Sequence, residues 1–248
     1  MKDTAGIEFL DASDASWMDR NWMWISAASG AVLTLFLFAY NQRSFPNFTK
    51  YHWYGLLLSA VYSAHQLEEH GCDIFGRYYM FVPIFNKSVA SRIGVAVTAR
   101  GTTYINLMNI WFCFPMCTYL STKENMYMPV VLSWGMAVVN GLTGHLIPLL
   151  DEYIPGAFQS ISMVPLGFYV LFVVFEENSW IRGVLIPLIY GVVFHLVALI
   201  APFKFFTDEQ RSGRGELIVP VFQILGGIII PYTVTYLMIK AMPNKKQT

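Results

Sequence analysis

Charged side chains are scarce in this 248-residue chain. Asp, Glu, Lys and Arg make up 13% of it, against about 25% in an ordinary soluble domain. The 16 basic and 16 acidic residues also cancel, so no positive field is available to attract a nucleic acid. A soluble domain of this size could not cover its surface with so few ionisable groups. These shortages exclude an ordinary soluble enzyme, a disordered tail and a nucleic-acid-binding protein.

Cysteine and the familiar catalytic motifs are also scarce or missing. The three cysteines, an odd number, do not make a disulfide framework. The sequence has no glycine-rich phosphate loop, no serine nucleophile elbow and no HExxH zinc-protease motif. The order His-x-x-Glu-Glu-His at 65–70 also differs from the inverted zinc-protease pattern, because position 69 is Glu. Any catalytic or binding function must therefore be inferred from a less common combination of residues.

Hydrophobic sequence, in contrast, is abundant and makes up 55% of the chain. A helix needs about 20 mostly apolar residues to cross the bilayer core. The segments that satisfy this requirement are 22–40, 52–70, 97–119, 127–149, 159–176, 182–201 and 217–239. We predict an all-α, polytopic transmembrane helix bundle of about seven spans, built as one domain over residues 1–248 with a polar N-terminal tail at 1–20. The lipid bilayer is its expected partner, whereas orientation, compartment and protein partners stay open.

The second predicted span ends in an unusual group of polar residues. Successive residues of a helix are about 100° apart, so His65, Glu68 and Glu69 share one arc while His70 points elsewhere. Helix bundles use these spacings to bring Glu and His to a buried metal. A structural alternative stays open, in which the two glutamates lie in water or form ion pairs with Arg77 or Arg100.

Two further histidines lie within predicted spans. His145 follows Asn140 by about one and a half turns, and aliphatic residues surround His195. A membrane-embedded histidine must face the protein interior and find a partner. Each alone is more often a hydrogen-bonded core residue, but together with the second span they favour a shared polar centre. We predict His65, Glu68, Glu69, His145 and His195 as metal ligands, with Asn109, Asn140 and His70 as further polar residues of the cavity.

In these residues the chain resembles the HXXEE domain family of multi-pass membrane proteins. The motif of that family corresponds to His65-Gln66-Leu67-Glu68-Glu69. The pair Asn140 and His145, followed by Tyr153-Ile154-Pro155-Gly156, resembles a pattern of the family's later helices. The resemblance covers about residues 55–175. It implies a multi-pass fold and supports the choice of site residues, but it supplies no reaction.

Several functions are compatible with this constellation. The first is an intramembrane enzyme that acts on a lipid or other apolar small molecule, using iron for oxidation or zinc for hydrolysis. In a metal-free version Glu68 or Glu69 is the catalytic acid/base of an isomerase or cyclase with an isoprenoid-like substrate. The alternative is a non-enzymatic protein, either a proton-coupled transporter or an accessory or binding subunit. A haem held by His145 and His195 is a further possibility.

Overall fold

The computed structural model describes residues 6, 8, 15–40, 44, 45, 47–90, 94, 96–121, 126–206 and 215–241. Most of the N-terminal tail predicted at 1–20 therefore lies outside the described residues. In the described part the chain forms helices and no β-strand, apart from one isolated bridge between Cys72 and Tyr78. The helices are α1 (Trp17–Ala39), α2 (Lys50–Gln66), α3 (Phe81–Phe85), α4 (99–120), α5 (Met128–Leu150), α6 (Ala157–Glu177), α7 (Ile181–Lys204) and α8 (Glu216–Lys240).

Five of these helices are long and apolar enough to cross a membrane, namely α1, α5, α6, α7 and α8. The all-α prediction is confirmed for the described residues. The predicted number of seven spans is not, because α2 and α4 do not meet the same criterion. Helix α2 continues into the π-helical turn Leu67–Gly71, which carries Glu68 and Glu69, and α4 carries buried polar residues such as Thr102, Asn106 and Asn109. The two helices that fall short thus supply much of the polar interior.

Helix α5 lies at the centre of the bundle. All residues from Met128 to Val139 are buried, which is expected of a helix that is hydrophobic on every side. A Cβ at Gly191 of α7 would lie 2.6 Å from the Gly135 carbonyl of α5, so the two backbones touch. Small residues permit such close approach between membrane helices. The outer helices instead expose large apolar side chains, for example Phe158, Ile161 and Leu196, each more than half exposed.

The start of α1 is fixed by a capping box. The Ser16 hydroxyl accepts a hydrogen bond from the Asp19 backbone N–H, and the Asp19 carboxylate accepts one from the Ser16 N–H at 2.7 Å. Each side chain thereby satisfies a backbone donor of the first turn. Asp19 is also buried and pairs with Arg100 of α4 at 3.7 Å. This end of the predicted tail is therefore part of the packed bundle.

The connection between α2 and α3 is held together by the side chain of Asp73. The Asp73 carboxylate accepts hydrogen bonds from the backbone N–H groups of Phe75 and Arg77 and from the Arg77 side chain, at 2.8–2.9 Å. The Phe75 ring meets Tyr153 edge-on, with centroids 4.9 Å apart. The loop thus packs against the α5–α6 connection and leads into α3, whose aromatic side chains reach the polar interior.

Candidate metal centre

His65, Glu69 and His145 form a buried cluster. Their ligand atoms all lie within 4.8 Å of one another, and all three side chains are buried. The Nε2 atom of His65 lies 3.3 Å from one Glu69 carboxylate oxygen, and the Nε2 atom of His145 lies 3.6 Å from the other. The two imidazole rings meet edge to face, with centroids 4.6 Å apart. Three of the predicted ligands are therefore brought together from two helices.

Departures from regular α-helix position these side chains. His65 and Glu69 are four residues apart at the end of α2, where side chains of successive turns lie above one another. The π-helical turn Leu67–Gly71 begins between them, and His145 lies in another, Asn140–Leu146, of α5. Such turns occur frequently at functional sites, and Glu69 and His145 each lie in one.

Gly156 packs directly against both histidines of the cluster. It caps the N-terminus of α6 with φ of +96°, a conformation that favours glycine. A Cβ at this position would lie 2.7 Å from His145 Cε1 and 2.8 Å from His65 Cε1. The Nδ1 atoms of the two histidines form no hydrogen bond of standard geometry with a described residue. Contact with Gly156 therefore contributes to the ring orientations that point both Nε2 atoms at Glu69.

The Glu69 carboxylate has two further neighbours. Gln66 donates a hydrogen bond from Nε2 to Glu69 at 2.6 Å, and His70 Nε2 lies 3.6 Å away. The ion pairs found for Glu69 among the described residues are all with histidines. His70 also contacts Asn106 of α4, with Nε2 and Nδ2 3.0 Å apart. Predicted to point elsewhere, His70 instead links the buried carboxylate to α4.

Glu68 has different partners, although it is adjacent to Glu69. Its carboxylate accepts hydrogen bonds from the backbone N–H groups of Phe158 (3.1 Å) and Gln159 (2.7 Å) and from the Tyr153 hydroxyl (2.8 Å). It therefore satisfies N–H groups in the first turn of α6, where the helix dipole favours a negative charge. Burial raises the pKa of Tyr153 above its ordinary value, and the hydrogen bond to Glu68 raises it further. The structure does not bring Glu68 into the His65–Glu69–His145 cluster.

Asn140 connects the cluster to His195 of α7. Its side-chain nitrogen lies 3.3 Å from His65 Nε2, and its side-chain oxygen lies 3.3 Å from His195 Nε2. The Nδ1 atom of His195 lies 2.7 Å from the Gly191 carbonyl oxygen. His195 thus reaches the cluster through an amide and is not among the residues whose ligand atoms converge. Asn109 lines the same cavity but is bonded to Gln223 of α8 at 2.9 Å.

The cluster has the composition of a known kind of metal site. Two imidazoles and a carboxylate bind zinc in hydrolytic enzymes and iron(II) in oxygenases. Two ligand atoms on one tetrahedral zinc ion are about 3.3 Å apart, since each bond is about 2.0–2.1 Å. The carboxylate–imidazole distances, 3.3 Å to one Glu69 oxygen and 3.6 Å to the other, are close to that value for a carboxylate that would present both oxygens to the ion. The residues therefore fit zinc or iron, with His65, Glu69 and His145 as ligands.

The cluster lies at one side of a cavity of about 270 Å³ between α2, α3, α4, α5 and α7. The lining combines polar side chains, several of them next to the cluster, with a larger apolar surface. The polar lining includes Glu69, His70, Asn106, Asn140, His145 and His195, and the apolar lining includes Phe81, Phe85, Val97, Ile105, Phe194, Leu199 and Ile200. Such a site combines a reactive or recognising group with space for an apolar molecule.

Three residues of the site were not predicted. Gln66 contacts Glu69, Tyr153 contacts Glu68, and Gly156 contacts the two histidines of the cluster. Gln66 lies three residues before Glu69, a spacing that brings side chains together on a helix and would have identified it. Tyr153 and Gly156 belong to the segment Tyr153-Ile154-Pro155-Gly156, which was noted for its resemblance to a family pattern but was not assigned to the site. Nothing local in that segment indicates contact with α2.

The chain matches no protein-family model, no curated protein and no solved structure with which it was compared. Its function is therefore inferred from the geometry of its own site.

Proposed function

We propose that this protein is a multi-pass integral membrane enzyme that acts on a lipid or other apolar molecule at a metal centre. The convergence of His65, Glu69 and His145 beside a cavity with apolar walls carries this proposal. Ionisable residues inside a membrane bundle are costly and are generally functional. We also propose that α2 and α4 complete a seven-span bundle, because each is packed among the longer helices. Membership of the HXXEE family stays a prediction.

Each residue of the site has a distinct role in this proposal. His65, His145 and Glu69 would hold the metal, and Gln66 orients the Glu69 carboxylate by its hydrogen bond at 2.6 Å. When bound, zinc supplies an activated water or a polarised carbonyl, and iron supplies oxidative chemistry. Asn140 and His195 offer hydrogen-bonding groups to a molecule in the cavity. We assign Glu68 to the packing of α6 on α2, since its carboxylate already accepts three hydrogen bonds.

A metal-free acid/base mechanism at the same carboxylate is the second candidate. The contacts of Glu69 favour it, because Gln66 donates a hydrogen bond to the carboxylate and the Nε2 atoms of His65 and His70 lie 3.3 and 3.6 Å from it, so that protein groups alone can hold and compensate its charge. In that mechanism Glu69 accepts a proton from the substrate or donates one to it, while the surrounding histidines and Gln66 hold its orientation. The cavity walls then serve to exclude water from the proton transfer.

Metal content separates the two candidates. The protein is purified in detergent, and bound iron and zinc are measured by mass spectrometry in wild type and in H65A, E69Q and H145A. His52→Gln is the matched control, since His52 is a buried histidine of the same helix about 20 Å from His65. We expect about one metal ion per chain in wild type and in H52Q, and at least about tenfold less in the three site variants. Metal-free wild type, with loading controls satisfied, would reject the metal centre and leave the acid/base mechanism.

A further inference from the structure

The cavity beside the cluster has an opening in its side. Thr143 of α5 lines the cavity and is exposed on the surface of the bundle, and His195 of α7 lines it and is partly exposed. The helices α5 and α7 touch where Gly191 meets Gly135. Beyond that contact the cavity lies between their C-terminal halves, with the Asn140–His195 contact across its inner end. The opening therefore lies between two helices.

The level of this opening lies within the apolar part of both helices. Thr143 is about 22 Å along α5 from Met128, and His195 is about 21 Å along α7 from Ile181, at 1.5 Å per residue. The exposed residues around the opening are apolar, with Val192 50%, Leu196 52% and Ile147 57% exposed. In a bilayer, such an opening faces acyl chains. A molecule that enters there comes from the membrane interior.

The chemistry of the lining selects for an uncharged head group. Among the described residues that line the cavity there is no lysine or arginine, and the one carboxylate is Glu69. Without a bound metal, a phosphate or carboxylate head would thus have no cationic side chain as a partner and would meet the Glu69 carboxylate, a costly arrangement in a buried site. In contrast, a hydroxyl can donate hydrogen bonds to Asn106, Asn140 or His195 and accept them, and a carbonyl can accept them.

The size of the cavity limits how much of the molecule it encloses. A cavity of about 150 Å³ is known to hold benzene, so 270 Å³ holds roughly ten to fifteen non-hydrogen atoms. That is a medium-length chain or one end of a longer one, with the remainder projecting through the opening. The aromatic walls formed by Phe81, Phe85 and Phe194 suit such an apolar chain.

We propose that the opening framed by Thr143 and His195 is a lateral portal, through which the site takes an uncharged, single-chain amphiphile with a hydroxyl or carbonyl head from the bilayer. This inference rests on the proposed function for the identity of the site, but not on the presence of a metal. It assigns substrate selection to the absence of cationic side chains in the lining. It also assigns access to the surface between α5 and α7.

Photocrosslinking in vesicles tests the portal. The protein is stripped of metal with a chelator, reconstituted in phosphatidylcholine and exposed to a dodecanol probe with a diazirine in its chain, or to the matching dodecyl phosphate probe. Labelled peptides are identified by mass spectrometry. We expect the dodecanol probe to label peptides that contain residues 81–85, 143 or 194–200 at least about tenfold more than the dodecyl phosphate probe does. This ratio corresponds to a difference of about 1.4 kcal/mol in binding free energy. Excess unlabelled 1-dodecanol should remove the labelling.

Two variants separate the portal from the metal centre. In Thr143→Trp a large side chain fills the opening, so labelling of the cavity should fall by about tenfold, while the metal content of the protein as purified stays at the wild-type value. Ile161→Trp, at an exposed position of α6, is the matched control and should leave both unchanged. Equal labelling by both probes, labelling that unlabelled alcohol does not compete, or full labelling of Thr143→Trp would overturn the proposal. Competed alcohol labelling of a wild type that holds no metal as purified would support the portal and reject only the metal centre.

Discussion

Substitution of the adjacent residues Glu68 and Glu69 should have different consequences for stability and metal binding. Glu68→Gln removes a charge from the N-terminus of α6, whereas Glu69→Gln removes the carboxylate that the cluster histidines face. We predict that the first variant is less stable and keeps its metal, and that the second loses its metal. Both glutamates are buried to the same extent, with 6% of each exposed, so burial alone predicts no difference between them.

The magnitude follows from the hydrogen bonds of Glu68. Each hydrogen bond to a charged group contributes about 1.5–3 kcal/mol, and the interaction with the helix N-terminus contributes about 0.3–2 kcal/mol. The amide of Glu68→Gln keeps one acceptor oxygen, so we expect a loss of about 2–4 kcal/mol and not the sum for three bonds. In a chain of this size 1 kcal/mol corresponds to about 2–4 °C in Tm. The expected decrease in Tm is therefore about 5–15 °C.

The assay measures thermal unfolding with and without a chelator, together with the metal content of each variant. Metal that binds only the folded state raises Tm, so the deficit of Glu69→Gln relative to wild type should largely disappear once both are stripped of metal. The deficit of Glu68→Gln should persist. Glu176→Gln, at an exposed position near the end of α6, should change stability by less than about 0.5 kcal/mol. Equal metal loss in both variants, or an unchanged Tm in Glu68→Gln, would refute the division of roles.

Two further predictions concern the segment between α5 and α6. Gly156→Ala places a methyl group against both cluster histidines, so it should lower metal content and reduce stability by more than the about 1–2 kcal/mol of left-handed backbone strain. Gly76→Ala is its matched control, because Gly76 also has positive φ (+72°) but has nothing within 4 Å of an added Cβ, and it should show the strain alone in thermal unfolding. Tyr153→Phe removes the hydrogen bond to Glu68 and should lower Tm near neutral pH. Since folding raises the pKa of Tyr153, the stability that this hydroxyl contributes is present below about pH 10 and is lost as the pH rises further. The difference in Tm between wild type and Tyr153→Phe should therefore shrink above about pH 10. A difference that stays constant with pH would contradict this assignment.

The sequence by itself determined the class of structure and the residue types of the site. Long apolar segments can satisfy their backbone groups as helices, so the helical architecture follows from composition and length. The spacing of His65 and Glu69 predicts that both lie on one face of a helix. His145 could be identified as a site residue because histidine is rare within apolar segments and needs a polar partner there.

Only the tertiary structure decided which of these residues meet. Local spacing placed Glu68 and Glu69 on one arc, but the π-helical turn Leu67–Gly71 and the approach of α6 direct Glu68 to the first turn of that helix. The contact between His195 and the cluster runs through Asn140 because the close packing of α5 on α7 fixes their register. The contact of Gly156 with both histidines depends on the return of the chain after α5. These are contacts between segments distant in sequence, which the periodicity of a single helix does not encode.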